Sequence, residues 1–346
     1  MKRIKAAFLL LMVYSTSLLL GCADAAGNVD SSAVQTESPI QIGITFDNFV
    51  VERWIRDRDV FVTTAEDSGA KVNVQNANGS VDEQIAQIEY FIKKNVDVIV
   101  IVAVDGDKLQ SVVTKAETAG IKVVAYDRLI KNSDVDLYIS FDNEEVGHLM
   151  GEALVSALPG GGNVFAVNGP TSDNNVLMVQ KGFLEAIKSS RLKVVYTSYC
   201  DGWLSDLAFT SVNTGLKMTT DVDAVMCGND DLASQAFRAL AENRIADQVV
   251  LVGQDADLAA CQRIVEGTQA MTVYKSVDEL AKAAALYAVS LAKGQSLDIS
   301  DTISDGMNDV PYYGLQPVAV TKANIDEVII DGGFHLREDV YLNVKQ

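Results

Sequence analysis

The sequence predicts an α/β protein of two doubly wound domains, each built on a parallel sheet. Strand-like apolar runs alternate with amphipathic stretches along almost the whole chain, and the pattern restarts midway at NVFAVNG. Such alternation implies parallel strands joined by right-handed crossovers. The strands are near-continuous Val/Ile runs, which is typical of sheets covered on both faces. About 300 residues follow the N-terminal region, enough for two domains with their own cores.

The N-terminal region has the pattern of an export signal. The basic start MKRIK is followed by an apolar stretch from Ala6 to Leu20, which is too short for a reliable membrane-spanning helix. The quartet LLGC, ending at Cys22, fits a lipoprotein signal, so we expect Cys22 to be lipidated. An ordinary cleaved signal with a chance cysteine is the alternative. We assign residues 1–21 to the signal and residues 22–39, rich in small and polar residues, to a solvated tether.

Ten strand-like runs follow the tether in chain order. They are IQIGITF, KVNVQNA, VDVIVIVAV, KVVAYD, LYISFD, NVFAVNG, KVVYTSY, AVMCGN, VVLVGQD and AMTVYK. Stretches between them, such as VDEQIAQIEYFIKKN, carry apolar residues at helical spacing. The tail DTISDGMNDVPYYGLQPVAVT and NIDEVIID fits a late return between domains and a C-terminal cap. The predicted lobes are residues 40–142 with 277–308, and residues 143–276 with 309–346.

The net charge argues against two classes of partner, and the cysteines do not suggest a disulfide framework. The net charge of −19 argues against nucleic acid, because no basic surface is available to displace counterions. It also argues against electrostatic adhesion to anionic lipid, so a lipid anchor would have to hold the protein at a membrane. Beyond Cys22 there are Cys200, Cys227 and Cys261, an odd number with no visible disulfide framework. Cys227 lies in the apolar run AVMCG and is predicted to be buried.

Polar side chains cluster where the predicted strands end. Ligands of open α/β sheets bind outside the carboxyl ends of the strands. The polar stretches at these ends are FDN (46–48), NAN (76–78), DG (105–106), YDR (126–128), FDN (141–143), DNN (173–175), DGW (201–203), NDD (229–231), QDAD (254–257) and YK (274–275). Asp and Asn before a helix are often N-caps, and Asp231 and Asp257 are predicted as such; Asp142 and Asn143 either cap the next helix or mark a chain crossing.

Capping does not explain every residue at these ends. Arg128 and Lys275 stand among the carboxylates, and the only two tryptophans, Trp54 and Trp203, lie one in each half near such a loop. Sugar hydroxyls both donate and accept hydrogen bonds, which suits Asp, Asn, Arg and Lys. The C–H faces of a pyranose pack flat on an indole ring. The set therefore fits a carbohydrate ligand.

Competing kinds of site have weaker support in the sequence. His148 and His335 are far apart in sequence, and neither has a second potential metal ligand at HxxxH-type spacing. No metal and no cofactor are therefore expected. The sequence has no GxSxG motif, which would indicate nucleophilic catalysis. The triple glycine 160–162 precedes a strand, and in that position it cannot act as a dinucleotide-binding loop. A pair of carboxylates acting as in a glycosidase stays open at this point.

Several stretches together carry a family resemblance. They are GITFDNFVVERWIRDRD, KVVAYDRLI, LYISFDNEEVG, SDNN, DGWL, GNDD, GQDADLAACQRI, GTQAMTVYKS and NDVPYYGLQPV. From about Ile40 to His335 the chain resembles the periplasmic sugar-binding proteins of ABC transporters, the type I periplasmic binding proteins of the ribose/galactose type. GQDADLA, MTVYK and ERW make it most similar to the D-xylose-binding branch.

The resemblance implies a fold and a ligand site. The fold would be two α/β lobes joined by a three-strand hinge, with sugar in a cleft that closes on it. Carried over position by position, the ligand contacts would be Arg53, Trp54, Asp127, Arg128, Asp173, Asn175, Trp203, Asn229, Asp255 and Lys275. In this reading Asp255 accepts hydrogen bonds from sugar hydroxyls and Asp257 caps the next helix.

The resemblance also implies a function. The chain would be an exported lipoprotein, not an enzyme, that captures a monosaccharide and delivers it to an ABC permease. D-xylose is the expected sugar, and glucose or another pentose is the alternative. The runner-up function is a sensor that presents xylose occupancy to a membrane histidine kinase or chemoreceptor. An exported hydrolase is the third.

Overall fold

The computed structural model describes residues 38–344. The predicted signal, the lipidation site Cys22 and almost all of the predicted tether lie outside these residues. Among residues 38–344, no helix is both long and apolar enough to cross a membrane. The described chain forms two α/β lobes with mainly parallel sheets, as predicted.

The first lobe contains a seven-stranded sheet in the order β11-β12-β5-β4-β3-β1-β2, in which all neighbours are parallel except β11 and β12. Its elements are β1 (Ile40–Phe46), α1 (Arg53–Asp67), β2 (Ala70–Asn76), α2 (Val81–Lys94), β3 (Val98–Ile101), α3 (Gln110–Thr118), β4 (Lys122–Tyr126), β5 (Leu137–Phe141), α9 (Val277–Ala292), β11 (Thr302–Ser304) and β12 (Asp309–Leu315). The four residues of β3 are wholly buried, which explains their unbroken VIVI run.

The second lobe contains a six-stranded sheet in the order β13-β10-β9-β8-β6-β7, with only β13 antiparallel. Its elements are α4 (Asn143–Ala157), β6 (Gly162–Asn168), α5 (Asn174–Ile187), β7 (Leu192–Tyr199), α6 (Asp206–Met218), β8 (Ala224–Cys227), α7 (Asp230–Glu242), β9 (Val250–Gln254), α8 (Leu258–Glu266), β10 (Met271–Tyr274) and β13 (Val318–Val320). A π-helical turn (Asp326–Asp331) and α10 (Arg337–Val340) follow.

Close packing of α4 on α5 sets where the N-terminus of α5 lies. A Cβ on Gly182 would stand 1.8 Å from the carbonyl oxygen of Glu144, so only glycine allows this approach.

Cys227, Cys200 and Cys261 are buried and unpaired within the described residues, which confirms the burial predicted for Cys227.

The chain passes between the lobes three times. The first two crossings follow β5 and β10, and the third lies between Leu315 and Val318 rather than at residue 308. Residues 309–315 were predicted in the second lobe; instead they form β12, which pairs with β5 through Tyr312 and Tyr138. These two rings stack at 5.2 Å. Pro311 and Gly314 interrupt the strand pattern of DVPYYGL, so the sequence does not predict a strand there. Its pairing with β5 determines which lobe it joins.

The loop between β11 and β12 is organised around the buried Asp305 carboxylate. It accepts hydrogen bonds from the backbone N–H groups of Ser133 (2.7 Å), Asp134 (3.0 Å), Met307 (2.8 Å) and Asn308 (2.7 Å). Burial alone would raise the pKa of Asp305, but these backbone donors outweigh burial and lower it. The carboxylate therefore stabilises the folded chain while it is ionised.

We expect Asp305→Ala to lower the free energy of unfolding by about 2–3 kcal/mol at pH 7, because charged hydrogen bonds to two loops are lost. Since the folded pKa lies below the unfolded value of about 3.9, the carboxylate's contribution is complete above pH 4 and is lost as the pH falls through the folded pKa. Urea unfolding should thus show a smaller deficit at pH 2.5 than at pH 7. The exposed Asp301→Ala serves as control, and an equal deficit at both pH values would contradict the prediction.

Candidate functional site

A cavity lies between the two lobes, at the carboxyl ends of both sheets. All ten residues predicted from the sequence line it, namely Arg53, Trp54, Asp127, Arg128, Asp173, Asn175, Trp203, Asn229, Asp255 and Lys275. The lining also includes side chains outside that set: Val51, Asn143, Asn168, Val176, Val179 and Gln254.

Each of the ten predicted residues lies in the loop or at the helix start that follows a strand. In the first lobe Arg53 and Trp54 begin α1 after β1, and Asp127 and Arg128 follow β4. In the second lobe the polar residues follow successive strands: Asp173 and Asn175 after β6, Trp203 after β7, Asn229 after β8, Asp255 after β9 and Lys275 after β10. Parallel strands bring their carboxyl ends to one edge, so residues far apart in sequence meet there.

The Arg53 guanidinium is held on two sides by carboxylates. Its Nε and Nη2 donate to the two oxygens of Asp57 at 3.1 and 3.0 Å, and its Nη1 lies 2.9 Å from Asp127 Oδ2. The Tyr126 hydroxyl donates a short hydrogen bond to Asp57. All four side chains are buried. Burial raises the pKa of Asp57, although Arg53 opposes it.

Arg128 forms the second buried cluster of charges. Its Nη1 donates to Asp47 Oδ2 at 2.6 Å and to the carbonyl of Ala103 at 3.0 Å. Its Nε lies 2.9 Å from Asp173 Oδ2, in charge contact rather than in an aligned hydrogen bond. Burial alone would lower the pKa of Arg128, but the carboxylates of Asp173 and Asp47 raise it. Arg128 therefore stays charged and reaches from the first lobe to the second.

A further contact joins the lobes at the cavity. The Asn175 side-chain amide donates to the backbone carbonyl of Asp127 at 3.0 Å and to its Oδ1 at 3.1 Å. Burial alone would raise the pKa of Asp127, yet the positive charges around it, Arg53 foremost, lower it. Together with the Arg128–Asp173 pair, this contact shows that the lobes are closed on each other in the structure.

The two tryptophans are buried on opposite lobes. The Trp203 indole donates to Asp173 Oδ2 at 3.2 Å, and its ring fills the space beside Gly169, where a Cβ would stand 2.3 Å from it. Arg53 lies 4.4 Å above the Trp54 ring and Arg128 5.6 Å from it. Trp54 Nε1 has no hydrogen-bond partner among the described residues, so it is a buried donor at the cavity wall.

Asp255 sits on an unusual backbone turn. Asp255 has φ +98° and Ala256 φ +56°, left-handed values that cost a non-glycine residue about 1–3 kcal/mol each. The Asp255 N–H donates to the carbonyl of Val273 at 2.9 Å and the Ala256 N–H to Thr272 Oγ1 at 3.1 Å. The Asp255 carboxylate pairs with Lys275 at 2.7 Å. These contacts keep the turn in place despite its strain.

The predicted caps are partly wrong. Asn229, not Asp231, caps α7, because its Oδ1 accepts from the Leu232 N–H at 2.9 Å while Asp231 already lies inside the helix. Asp257 occupies the N-cap position of α8 but its side chain makes no capping bond. The cap predicted at Asp142 is confirmed by its bond from the Glu145 N–H. Asn143, predicted alongside it, is the first residue of α4 rather than its cap.

Two residues that hold the arginines were not among the predicted contacts. Asp47 lies at a strand end that the sequence marks as polar, so the strand-end rule could have included it. Asp57 follows Arg53 by four residues, a helical spacing at which opposite charges meet. Neither signal separates a residue that lines a cavity from one that supports the lining from behind.

The cavity offers balanced charge and many hydrogen-bonding groups. Three cations, Arg53, Arg128 and Lys275, face three carboxylates, Asp127, Asp173 and Asp255. Trp54 Nε1 and Gln254 Oε1 are buried there without hydrogen-bond partners in the described part of the chain. Within residues 38–344 there is no group of three or more His, Cys, Asp or Glu side chains that could hold a metal ion. The arrangement suits an uncharged polar ligand.

Comparison with known proteins identifies the family. Residues 42–296 match the family model described as a periplasmic binding protein domain. The chain is 44% identical to the D-xylose-binding periplasmic protein of Haemophilus influenzae over 87% of this chain and 92% of that protein. It is 42% identical to the D-xylose-binding periplasmic protein of Escherichia coli over 96% and 98%.

A solved structure supports the same assignment. The ABC transporter solute-binding protein of Clostridium phytofermentans, solved with bound β-D-glucose, superimposes with a TM-score of 0.80. It is 29% identical in sequence, and the match covers 87% of this chain and 99% of that one. These relatives are binding proteins, and this protein is not an enzyme. The chain therefore belongs to the periplasmic binding protein family.

Proposed function

We propose that this protein captures D-xylose in the cavity between its lobes and delivers it to an ABC permease. The observation that carries the proposal is the closed cavity, in which three cations, three carboxylates and two indoles converge from both lobes. The two relatives named as D-xylose-binding proteins, at 44% and 42% identity, support this choice of sugar.

The chemistry of the cavity favours a neutral sugar. The three lining cations are matched by three lining carboxylates, with Asp57 and Asp47 behind the two arginines, so no positive charge is left over to attract a phosphate or a carboxylate. A hydroxyl can donate to Asp127 or Asp255 and accept from Lys275, so each polar group of the wall can find a partner on a polyol. The indoles of Trp54 and Trp203 offer flat apolar surface for the C–H faces of a ring. The ten lining residues predicted from the sequence are the proposed sugar contacts.

The proposal includes an extracytoplasmic location. The apolar N-terminal stretch and the quartet ending at Cys22 support export and lipidation, so that the binding lobes stand outside the cytoplasmic membrane on a tether. The names of the relatives, which are periplasmic proteins, agree with export. An ABC permease in the same membrane would receive the sugar when the lobes open.

Calorimetric titration with D-xylose, L-arabinose, D-ribose, D-glucose and D-galactose tests the ligand. We expect a dissociation constant near micromolar for D-xylose, about −8 kcal/mol, and at least roughly tenfold weaker binding of the others. Preference for another sugar would change the ligand but keep the class, and no binding of any would refute the function. Uptake of labelled xylose by cells with and without the protein tests delivery.

We expect Asp255→Ala to weaken D-xylose binding by about 2–4 kcal/mol, because Lys275 and a sugar hydroxyl would be left without their partner in a closed cavity. The thermal midpoint without sugar should fall as well, because the buried Lys275 ammonium loses its partner. Titration calorimetry measures the loss. Asp231→Ala, at the edge of the same loop cluster but outside the cavity lining, is the matched control. Full-strength binding by Asp255→Ala would show that Asp255 is not a sugar contact.

A further inference from the structure

We propose that His335 is a positioning residue for ligand binding, which holds the backbone turn that presents Asp255 to the cavity. His335 lies in the C-terminal segment, after the last strand of the second lobe. It does not line the cavity. The inference deepens the proposed function and rests on it, since Asp255 is there taken as a sugar contact.

The contact is made to the strained part of the turn. His335 Nε2 lies 2.8 Å from the carbonyl oxygen of the fully buried Ala256. The N–H at the other end of the same peptide unit, that of Asp257, donates to Asp230 Oδ2 at 3.3 Å. The peptide unit that follows two left-handed residues is therefore held at both ends. Rotation of that peptide would let Ala256 leave its left-handed conformation. The Asp255 side chain would then point in a different direction.

The direction of the hydrogen bond follows from its acceptor. A carbonyl oxygen only accepts, so His335 Nε2 must carry a proton. Burial lowers the pKa of His335, although the hydrogen bond to Ala256 opposes it. The group at this position is then a neutral imidazole with its proton on Nε2. A side-chain amide, which also has an N–H donor, can replace it.

The segment that carries His335 is itself held from both lobes. The neighbouring Phe334 ring packs against Tyr274 at 4.9 Å, next to the cavity residue Lys275. Arg56 of the first lobe lies 4.6 Å above the Phe334 ring and donates to its carbonyl at 3.2 Å. The imidazole therefore has a defined position when the lobes are closed. It can act on the Asp255 turn without touching ligand.

Titration of the purified full-length protein with D-xylose tests the proposal. We expect His335→Leu to bind about tenfold more weakly, the loss of one buried hydrogen bond, and His335→Gln to recover to within about threefold. His148→Leu is the control, because the only other histidine lies on α4 and pairs with the exposed Glu152. In an Asp255→Asn background, His335→Leu should have almost no further effect, since it acts through Asp255.

Unchanged affinity of His335→Leu would overturn the proposal, and so would an equal loss in the Asp255→Asn background. A second measurement needs no sugar: amide hydrogen exchange of the peptide containing Asp255 to Asp257 should be at least roughly fivefold faster in His335→Leu. If the unsubstituted protein binds none of the sugars, the proposed function fails. Amide hydrogen exchange then still tests whether His335 holds the turn. Unchanged exchange in His335→Leu would overturn that role.

Discussion

Replacing Arg128 with Met is expected to weaken D-xylose binding by about 3–5 kcal/mol, roughly 100- to 4,000-fold in the dissociation constant. The guanidinium is buried between Asp47, at 2.6 Å, and Asp173, at 2.9 Å. Without it, two carboxylates lose their counter-charge in the closed cavity, and closure loses an ion pair between the lobes. Burial raises the pKa of Asp47 and Arg128 opposes that rise, so the substitution removes the main charge that favours this carboxylate in its ionised form. Titration calorimetry measures the change.

Two companion variants separate binding from folding. Arg238→Met removes an exposed arginine that pairs with Glu242 at 3.1 Å, and we expect less than about a twofold change in affinity. Asp47→Asn/Arg128→Met removes both partners of the first-lobe pair and should restore part of the folding stability, since Asp173 still lacks its counter-charge, without restoring binding. Binding by Arg128→Met within threefold of the unsubstituted protein would refute a role for Arg128 in the closed site.

Asp57→Leu is expected to lower the free energy of unfolding by about 3–5 kcal/mol. The Asp57 side chain is fully buried, accepts two hydrogen bonds from Arg53 and accepts another from Tyr126. Leucine fills similar space but leaves the guanidinium with only Asp127 as its charged partner and the hydroxyl with none. Urea unfolding at pH 7 measures the loss.

The charge-balanced variant distinguishes stability from ligand binding. Arg53→Met/Asp57→Leu removes both charges, and we expect it to recover most of the stability, because replacing a buried pair by apolar residues is often nearly neutral. Its sugar binding should remain weak, since Arg53 is a proposed contact. Asp59→Leu, at an exposed partner of Arg58, controls for the loss of an acidic residue from α1. A stable Asp57→Leu variant would show that Arg53 does not depend on Asp57.

The strand pattern could be predicted because it is local. Each of the ten predicted runs coincides with a strand of the structure or covers all but its first residue, and β3 shows why, since a strand buried on both faces must be apolar throughout. Strands β11, β12 and β13 were not predicted. They are short or interrupted by Pro311 and Gly314, and their pairing partners lie far away in sequence. The pairing of β12 with β5, in which Tyr312 lies opposite Tyr138, places this segment in the first lobe.

The composition of the candidate site also follows from local sequence, but its internal contacts do not. Parallel sheets gather their carboxyl ends, so the polar residues after each strand could be expected near one cavity. Which of them share partners depends on side-chain directions across the closed cleft. Asn229 both caps a helix and faces the cavity, and a sequence motif cannot show that one side chain does both.

Alternation of strand and helix, set by hydrophobic periodicity, thus sufficed for the two-lobe α/β fold and for the strand ends where a ligand would meet it. Packing over long sequence distances settled the third crossing after Leu315, the hydrogen bond from Tyr126 to Asp57, and the contact of His335 with Ala256. The physical reason is range: periodicity acts within one element, whereas buried charges and strained turns are stable only where distant elements supply their partners.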